Sequence, residues 1–212
     1  PYCGGIMSVL IVGANGSMGR RYQAILRHLE QEYVCADFDT SLPYIDSMAK
    51  ESDGVIIASP TKTHIEFIKR FIGYKKPILC EKPISTSIEA LRDILMDVRD
   101  SGTNLTMTMQ YKMLCNPVAS GWSYYNYYNT GKDGLIWDCT QIIGLSKGLV
   151  RLDNDSPVWK CCINGQTLSI ADMDGAYVEY VKKCLRNPGQ DLYELKEVHE
   201  KTHEVAKSCQ KS

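Results

Sequence analysis

The sequence predicts an α/β fold: a doubly wound parallel sheet followed by a smaller α+β region. Three observations carry that prediction. Short, fully apolar runs alternate with segments of helical periodicity through the first half of the 212-residue chain. A glycine-rich turn joins the first apolar run to the first helical segment. From Asn116 onward the alternation gives way to sequence rich in aromatic and amide side chains.

The elements follow in order. Ser8–Val12 reads as a strand buried on both faces, because parallel strands are covered by helices on each side. After the turn, Tyr22, Ile25, Leu26 and Leu29 recur at helical spacing. A second strand, Tyr33–Ala36, ends at Asp37, which completes a βαβ unit. A strand is expected at Gly54–Ser59, then a helix entered through the capping-box spacing Thr63-His64-Ile65-Glu66. Pro77–Cys80 is the next strand. A second capping box, Thr86-Ser87-Ile88-Glu89, opens a helix with Ile88, Leu91, Leu95 and Val98 on one face, and Leu105–Met109 closes the series. The expected boundaries are 7–115 for the first domain and 116–212 for the second.

In the second region, residues 121–138 suit an extended strand and turn, with aromatic side chains either lining a pocket or filling a core. Strands are expected at Pro157–Ile163 and Thr167–Ile170, joined by the hairpin dipeptide Asn164-Gly165. Helices are expected at Asp172–Leu185 and from Asp191 to Ala206. A second sheet of three or so strands is marginal alone, so a homo-oligomer is expected.

A net charge of -1 offers no broad basic field for a nucleic acid or an anionic membrane, so a small-molecule substrate is the expected partner. Nine cysteines include no Cys-x-x-Cys pair, and Cys35, Cys80, Cys115 and Cys139 lie in or beside apolar runs. Buried reduced thiols and a cytoplasmic location follow, together with the lack of a signal-peptide pattern or a long apolar span. His199-Glu200-Lys201-Thr202-His203 matches His-Glu-x-x-His, a zinc-site spacing. No metal is expected there: Leu192, Leu195, Val198 and Val205 define the packed face, leaving the histidines as solvated flank positions.

The turn Gly13-Ala14-Asn15-Gly16-Ser17-Met18-Gly19 is a variant dinucleotide fingerprint, with glycines three apart at a strand-to-helix junction. Such glycines admit a pyrophosphate close to the backbone, and the helix N-terminus offers free amides to its charge. Asp37 stands 18 positions after Gly19, where a carboxylate accepts from the adenosine ribose and repels a 2′-phosphate. NAD(H) is therefore favoured, while Arg20 and Arg21 leave NADP(H) open. The first domain is a Rossmann domain on this reading.

Lys76-Pro77-Ile78-Leu79-Cys80-Glu81-Lys82-Pro83 has the form KPxxxEKP, and Ser59-Pro60-Thr61 with His64 forms a Pro-Thr-x-x-His turn upstream. Downstream, MTMQYKMLCNP ends in an Asn-Pro. In these motifs and their order the chain resembles the glucose-fructose oxidoreductase, inositol dehydrogenase and rhizopine catabolism (Gfo/Idh/MocA) family. The resemblance implies an NAD(P)-dependent oxidoreductase that moves hydride between nicotinamide and a hydroxyl or carbonyl of a polyol, sugar or related substrate. It places Lys82 at the nicotinamide ribose and the substrate hydroxyl as the proton-transfer residue, with Asp138 assisting. Ser59, Pro60, Thr61, His64 and Glu81 join the glycine loop and Asp37 as cofactor-site residues. Lys112, Tyr127, Asn129 and Gln141 fall to the substrate.

Two departures matter. The family's Asp-x-Gly-x-His segment reads here Asp138-Cys139-Thr140-Gln141-Ile142, without its histidine, and the stretch from about Ile143 to Ala176 is short for the usual substrate domain. These departures keep a catalytically silent dinucleotide-binding or partner-binding module as an alternative. A reductase similar to dihydrodipicolinate reductase is another, on the shared GAxGxMG loop.

Overall fold

A computed structural model describes residues 8–115, 119–127, 134–186 and 188–209. It divides into two compact units: residues 1–108 with 181–192, and residues 109–180 with 193–212. The first thus combines the start of the chain with a late segment.

Unit 1 begins with β1 (Ser8–Val12), α1 (Ser17–His28), β2 (Glu32–Ala36), α2 (Leu42–Glu51) and β3 (Gly54–Ile57). A 3-10 turn at Thr61–Thr63 leads into α3 (His64–Ile72), followed by β4 (Ile78–Cys80), α4 (Ile88–Ser101) and β5 (Leu105–Met107). The five strands are all parallel in the order β2-β1-β3-β4-β5. The fully buried runs Val9–Val12 and Val55–Ile57 need apolar cover on both faces. Tyr22, Ile25 and Leu26 of α1, Ile68 and Phe71 of α3, and Leu91, Ile94 and Val98 of α4 belong to the same buried core.

Several local expectations change here. Helix α2 was not anticipated; Pro43 sits in its first turn, where the missing N–H costs nothing. Thr63 does not cap α3. Its backbone is already near-helical (φ -104°, ψ -7°), and its hydroxyl donates instead to the Pro60 carbonyl at 2.7 Å. The α4 cap is Ser87 rather than Thr86: Ser87 Oγ accepts from the Ala90 amide at 3.2 Å. Cys35 is exposed rather than buried, because β2 is an edge strand whose only buried residue is Ala36.

Unit 2 opens with a 3-10 turn at Gln110–Met113, then β6 (Ser123–Asn126), α5 (Leu135–Asp138), α6 (Thr140–Leu145) and β7 (Val150–Asp153). β8 (Lys160–Ile163) and β9 (Gln166–Leu168) precede α7 (Ile170–Arg186) and α8 (Leu192–Cys209). Its sheet has four strands, β7-β6-β8-β9, one more than expected, with only the β6–β7 pair parallel. The hairpin turn has positive φ at both Asn164 (52°) and Gly165 (81°), the geometry for which that dipeptide is selected. Tyr125, Cys161, Ile163 and Leu168 of the sheet form a core with Cys139, Ile142 and Ile143.

Within 121–138 the extended reading holds only for the start, since Leu135–Asp138 is helical. Ile170 belongs to α7, not to a strand: Ser169 Oγ accepts from the Asp172 amide at 3.2 Å and starts the helix there. α6 and β7 were also unforeseen. Among the described residues no helix is long and apolar enough to cross a membrane, and no group of three His, Cys, Asp or Glu side chains is placed to hold a metal.

His199 corrects the reading of the last helix. It is fully buried, with Nδ1 2.7 Å from the Leu195 carbonyl, while Leu192 on the supposed packed face is only partly covered. Burial lowers its pKa to about 4, opposed by the Leu195 bond. The neutral form is the one the fold accepts, so the stability tied to this ring is fully present above pH 6.5 and is lost as pH falls from there toward 4. By pH 5 the loss amounts to about 2 kcal/mol. Urea unfolding at pH 7.5 and pH 5 should show this decrease in the wild type and a smaller one in His199→Gln; equal decreases would assign the pH dependence to other groups.

Candidate functional site

The strand order of unit 1 reverses between β1 and β3. In open α/β sheets the carboxyl ends of two such strands form a crevice for ligands. Gly13 follows β1 and Ser59 follows β3. A Cβ on Gly13 would stand 2.6 Å from the Ser59 amide nitrogen, and Gly13 has φ 84°, so both space and conformation require glycine. A Cβ on Gly19 would stand 2.6 Å from Ala14 Cα, so α1 packs backbone to backbone on the loop. Gly16 is different: the nearest atom to its Cβ would be the Gly13 oxygen at 3.4 Å, an ordinary contact. The fold itself does not demand glycine there, whereas a ligand approaching the backbone would.

Gly16 is also the N-cap of α1. It offers no side-chain cap, and the first turn carries no acidic residue. Asn15, Gly16 and Ser17 are exposed. The first-turn amides therefore lack helical acceptors and face an open edge, an arrangement suited to a pyrophosphate.

Asp37 is fastened to this loop. Its Oδ2 accepts from the Asn15 amide at 2.6 Å and its Oδ1 from the Phe38 amide at 2.8 Å. The Gly13 and Ala14 amides both donate to the Ala36 carbonyl, at 2.9 and 3.2 Å. Gln23 Nε2 donates to the Ala14 carbonyl at 2.8 Å, bracing the loop from α1. A carboxylate has about four lone-pair sites, so two amide bonds leave Asp37 able to accept from ribose hydroxyls. Arg20 and Arg21 are exposed on α1.

Along the same edge lies the Glu81-Lys82-Pro83 turn after β4. Glu81 is buried, its Oε1 accepting from the Tyr22 hydroxyl at 2.6 Å and its Oε2 from the Lys82 amide at 3.2 Å. Tyr22 Oη also lies 2.8 Å from Thr108 Oγ1. Lys82 is half-buried, and the Lys82–Pro83 peptide is cis. Ser59 Oγ and Thr63 Oγ1 are 2.8 Å apart, while Pro60 is exposed and Thr61 partly so. His64 is buried between two loop carbonyls. Tyr22 and Thr108 were missed as site residues. The available signal was a tyrosine on the core face of a helix, whose hydroxyl must find a partner.

Unit 2 holds the residues expected at the substrate. Gln141 is buried and committed within the unit, donating to Gln110 Oε1 at 2.7 Å and accepting from the Tyr111 amide at 3.3 Å. It anchors the turn that presents Lys112, whose ammonium pairs with the Glu194 carboxylate. Asp138 and Tyr127 both act on Tyr125, whose hydroxyl is pushed well up, first by burial and then by nearby acidic groups. Asn129 lies outside the described residues. The position of the family histidine is Ile142, 1% exposed inside the unit 2 core.

Residues 23–109 match the family described as "Oxidoreductase family, NAD-binding Rossmann fold" (Gfo/Idh/MocA). That stretch begins after the glycine loop, so the loop geometry stands as a separate observation. Inositol 2-dehydrogenase of Rhizobium meliloti (strain 1021) is 36% identical over 76 residues, covering 35% of this chain and 23% of the relative. Glucose-6-phosphate 3-dehydrogenase of Bacillus subtilis (strain 168) is 39% identical over 49 residues, covering 23% of this chain and 14% of the relative. The aligned stretches thus span under a quarter of these relatives' length.

Among solved structures, a myo-inositol dehydrogenase, so designated provisionally, from Sinorhizobium meliloti 1021 superposes with a TM-score of 0.74 at 13% identity, covering 97% of this chain and 98% of that one. The WlbA (WbpB) dehydrogenase from Thermus thermophilus, solved with NAD and UDP-GlcNAcA, gives 0.72 at 13% identity, with 94% of each chain covered. At that identity the likeness speaks for the fold. The match through residues 23–109 takes in Asp37, His64 and the Glu81-Lys82-Pro83 turn, so this part of the chain is similar to the NAD-binding Rossmann region of Gfo/Idh/MocA oxidoreductases.

Proposed function

We propose that this chain is a dehydrogenase that uses NAD(H) to interconvert a secondary alcohol and a ketone on a small polyol, cyclitol or sugar. The observation that carries the reading is the occurrence, along the carboxyl edge of one parallel sheet, of a glycine loop with uncapped helix amides and a pre-oriented Asp37 at the switch point and of the Lys82 turn after the neighbouring strand β4. Nicotinamide supplies the hydride acceptor or donor. The chain's own residues do the rest: Gly13–Gly19 receive the pyrophosphate, and Asp37 accepts from the adenosine ribose and disfavours a 2′-phosphate. Lys82 holds the reacting oxygen and exchanges its proton. Asp138 assists, with Lys112, Tyr127 and Asn129 as the substrate side; Gln141 serves by holding the Lys112 turn. A cytoplasmic homo-oligomer acting on a soluble substrate completes the reading.

The buried Ile142 favours one alternative, a silent dinucleotide-binding module, since no proton-transfer group stands where the family places its histidine. Turnover decides between the two. A screen of myo-inositol, related polyols and keto-sugars, followed by NADH absorbance, should find a substrate. Lys82→Ala should then lower turnover by about 10²–10⁴ while the fold and most cofactor affinity persist. Near wild-type turnover in that variant would remove Lys82 from the mechanism, and NADH binding without any substrate would favour the silent module.

Asp37→Ala should weaken NADH binding roughly ten- to a hundredfold, measured by calorimetry, because one charge-assisted ribose contact is lost. Unchanged affinity would contradict the ribose assignment. Light scattering at micromolar concentration should report a mass above the 23.9 kDa of one chain; a single-chain mass throughout would contradict self-association.

A further inference from the structure

We propose that His64 is a positioning residue: a latch whose Nδ1 end holds the Lys82–Pro83 turn, while its Nε2 end faces the Ser59 loop. The role of Lys82 in proton transfer is taken from the function proposed above, whereas the latch rests on geometry within unit 1. His64 opens α3 and is 1% exposed. Its Nε2 lies 2.8 Å from the Ser59 carbonyl oxygen and its Nδ1 lies 2.9 Å from the Pro83 carbonyl oxygen. Both partners are acceptors only, so each bond requires the hydrogen on the ring nitrogen concerned: one bond in either neutral tautomer, both in the imidazolium.

The two carbonyls belong to segments that leave neighbouring parallel strands. β3 and β4 run in register to Ile57 and Cys80, and the Glu81 amide donates to the Ile57 carbonyl at 2.9 Å. Beyond that rung, His64 spans the Ser59 loop and the Pro83 turn. Lys82 is consequently held on both sides. Its own amide is tied to Glu81, which Tyr22 holds in turn, and the next residue's carbonyl is tied to His64. An imidazole is rigid and its placement is fixed by the start of a helix, so the turn inherits a defined height over the sheet. Displacement of a reacting group by about 1 Å costs on the order of 10²-fold in rate, which is the scale on which such a support acts. Buried and turned toward backbone, His64 acts on the site through Lys82 and not by touching cofactor.

Isosteric variants separate the two ends. An asparagine amide nitrogen falls near the Nδ1 position and can keep the Pro83 bond, a glutamine amide nitrogen falls near Nε2 and can keep the Ser59 bond, and phenylalanine keeps the ring without donors. The full chain carrying His64→Asn, His64→Gln or His64→Phe is compared by amide hydrogen exchange over residues 81–86, NADH affinity, and kcat and KM on myo-inositol or whichever polyol the screen identifies. In His64→Gln and His64→Phe, exchange at Lys82 should rise about tenfold or more and kcat should fall about 10²-fold, with NADH affinity and KM within about threefold. His64→Asn should stay within about threefold of wild type in exchange and in kcat. A merely structural histidine would lower the melting temperature in all three without distinguishing asparagine from glutamine.

Equal behaviour of the asparagine and glutamine variants, or wild-type exchange at Lys82 in the glutamine or phenylalanine variant, overturns the proposal. If His64→Phe does not fold, the asparagine and glutamine pair decides alone. If the wild type turns over no polyol, the function fails while hydrogen exchange still decides the latch.

Discussion

The close approach of Gly13 to Ser59 is the constraint on which unit 1's functional edge depends. With a Cβ only 2.6 Å from the Ser59 amide, any other residue at position 13 would push β1's exit away from β3's exit. The Ala36 carbonyl could not then collect both the Gly13 and Ala14 amides, and Asn15 would not reach Asp37. Gly19 repeats the constraint one turn later, where α1 lies on the Ala14 backbone. Two glycines thus serve the protein's own packing. The third, Gly16, has room to spare, which is how a position kept open for a ligand differs from one required by the fold.

Beneath that edge, the polar groups of the core pair with one another and with the backbone. Glu81, Tyr22, Thr108 and His64 are all buried or nearly so, and each has a partner within hydrogen-bond distance. A buried polar group left unpaired costs roughly 1–3 kcal/mol, so these contacts are obligatory once the side chains are inside. Their effect is directional. Apolar contacts would hold the Glu81-Lys82-Pro83 turn at some distance from the sheet, whereas hydrogen bonds from Tyr22 and to Pro83 fix its rotation as well.

Unit 2 spends its polar residues differently. Gln141 links Gln110 to the Tyr111 amide, Asn126 accepts from the Asp155 and Ser156 amides at 3.2 and 3.0 Å, and Asn164 receives the Lys147 amide at 2.7 Å. Amide side chains here fasten turns to a small four-stranded sheet that has a modest core. The amide-rich composition of this half therefore reflects loop anchoring at least as much as pocket lining. Tight packing is visible at Gly144, where a Cβ would meet Val198 Cγ1 at 2.7 Å; the residue after Val198, His199, is fully buried.

The sequence alone determined the parallel half. Apolar runs such as Ser8–Val12 can be satisfied only by burial on both faces, and a glycine-rich turn between such a run and an amphipathic helix has few other uses. It likewise determined the Asn164-Gly165 hairpin, because positive φ at two successive residues is costly for most side chains. The KPxxxEKP motif located Lys82, although not what supports it. Only the tertiary structure decided which capping candidate opens α4, that Thr63 turns its hydroxyl back to Pro60, that Cys35 is exposed on an edge strand and that His199 is buried. Local spacing names candidates for a cap or a packed face, but a hydroxyl or imidazole goes to whichever partner the fold brings within reach. For Tyr22 and His64 those partners, Glu81 and Pro83, are 59 and 19 residues away in the chain, a separation that periodicity and motif do not bridge.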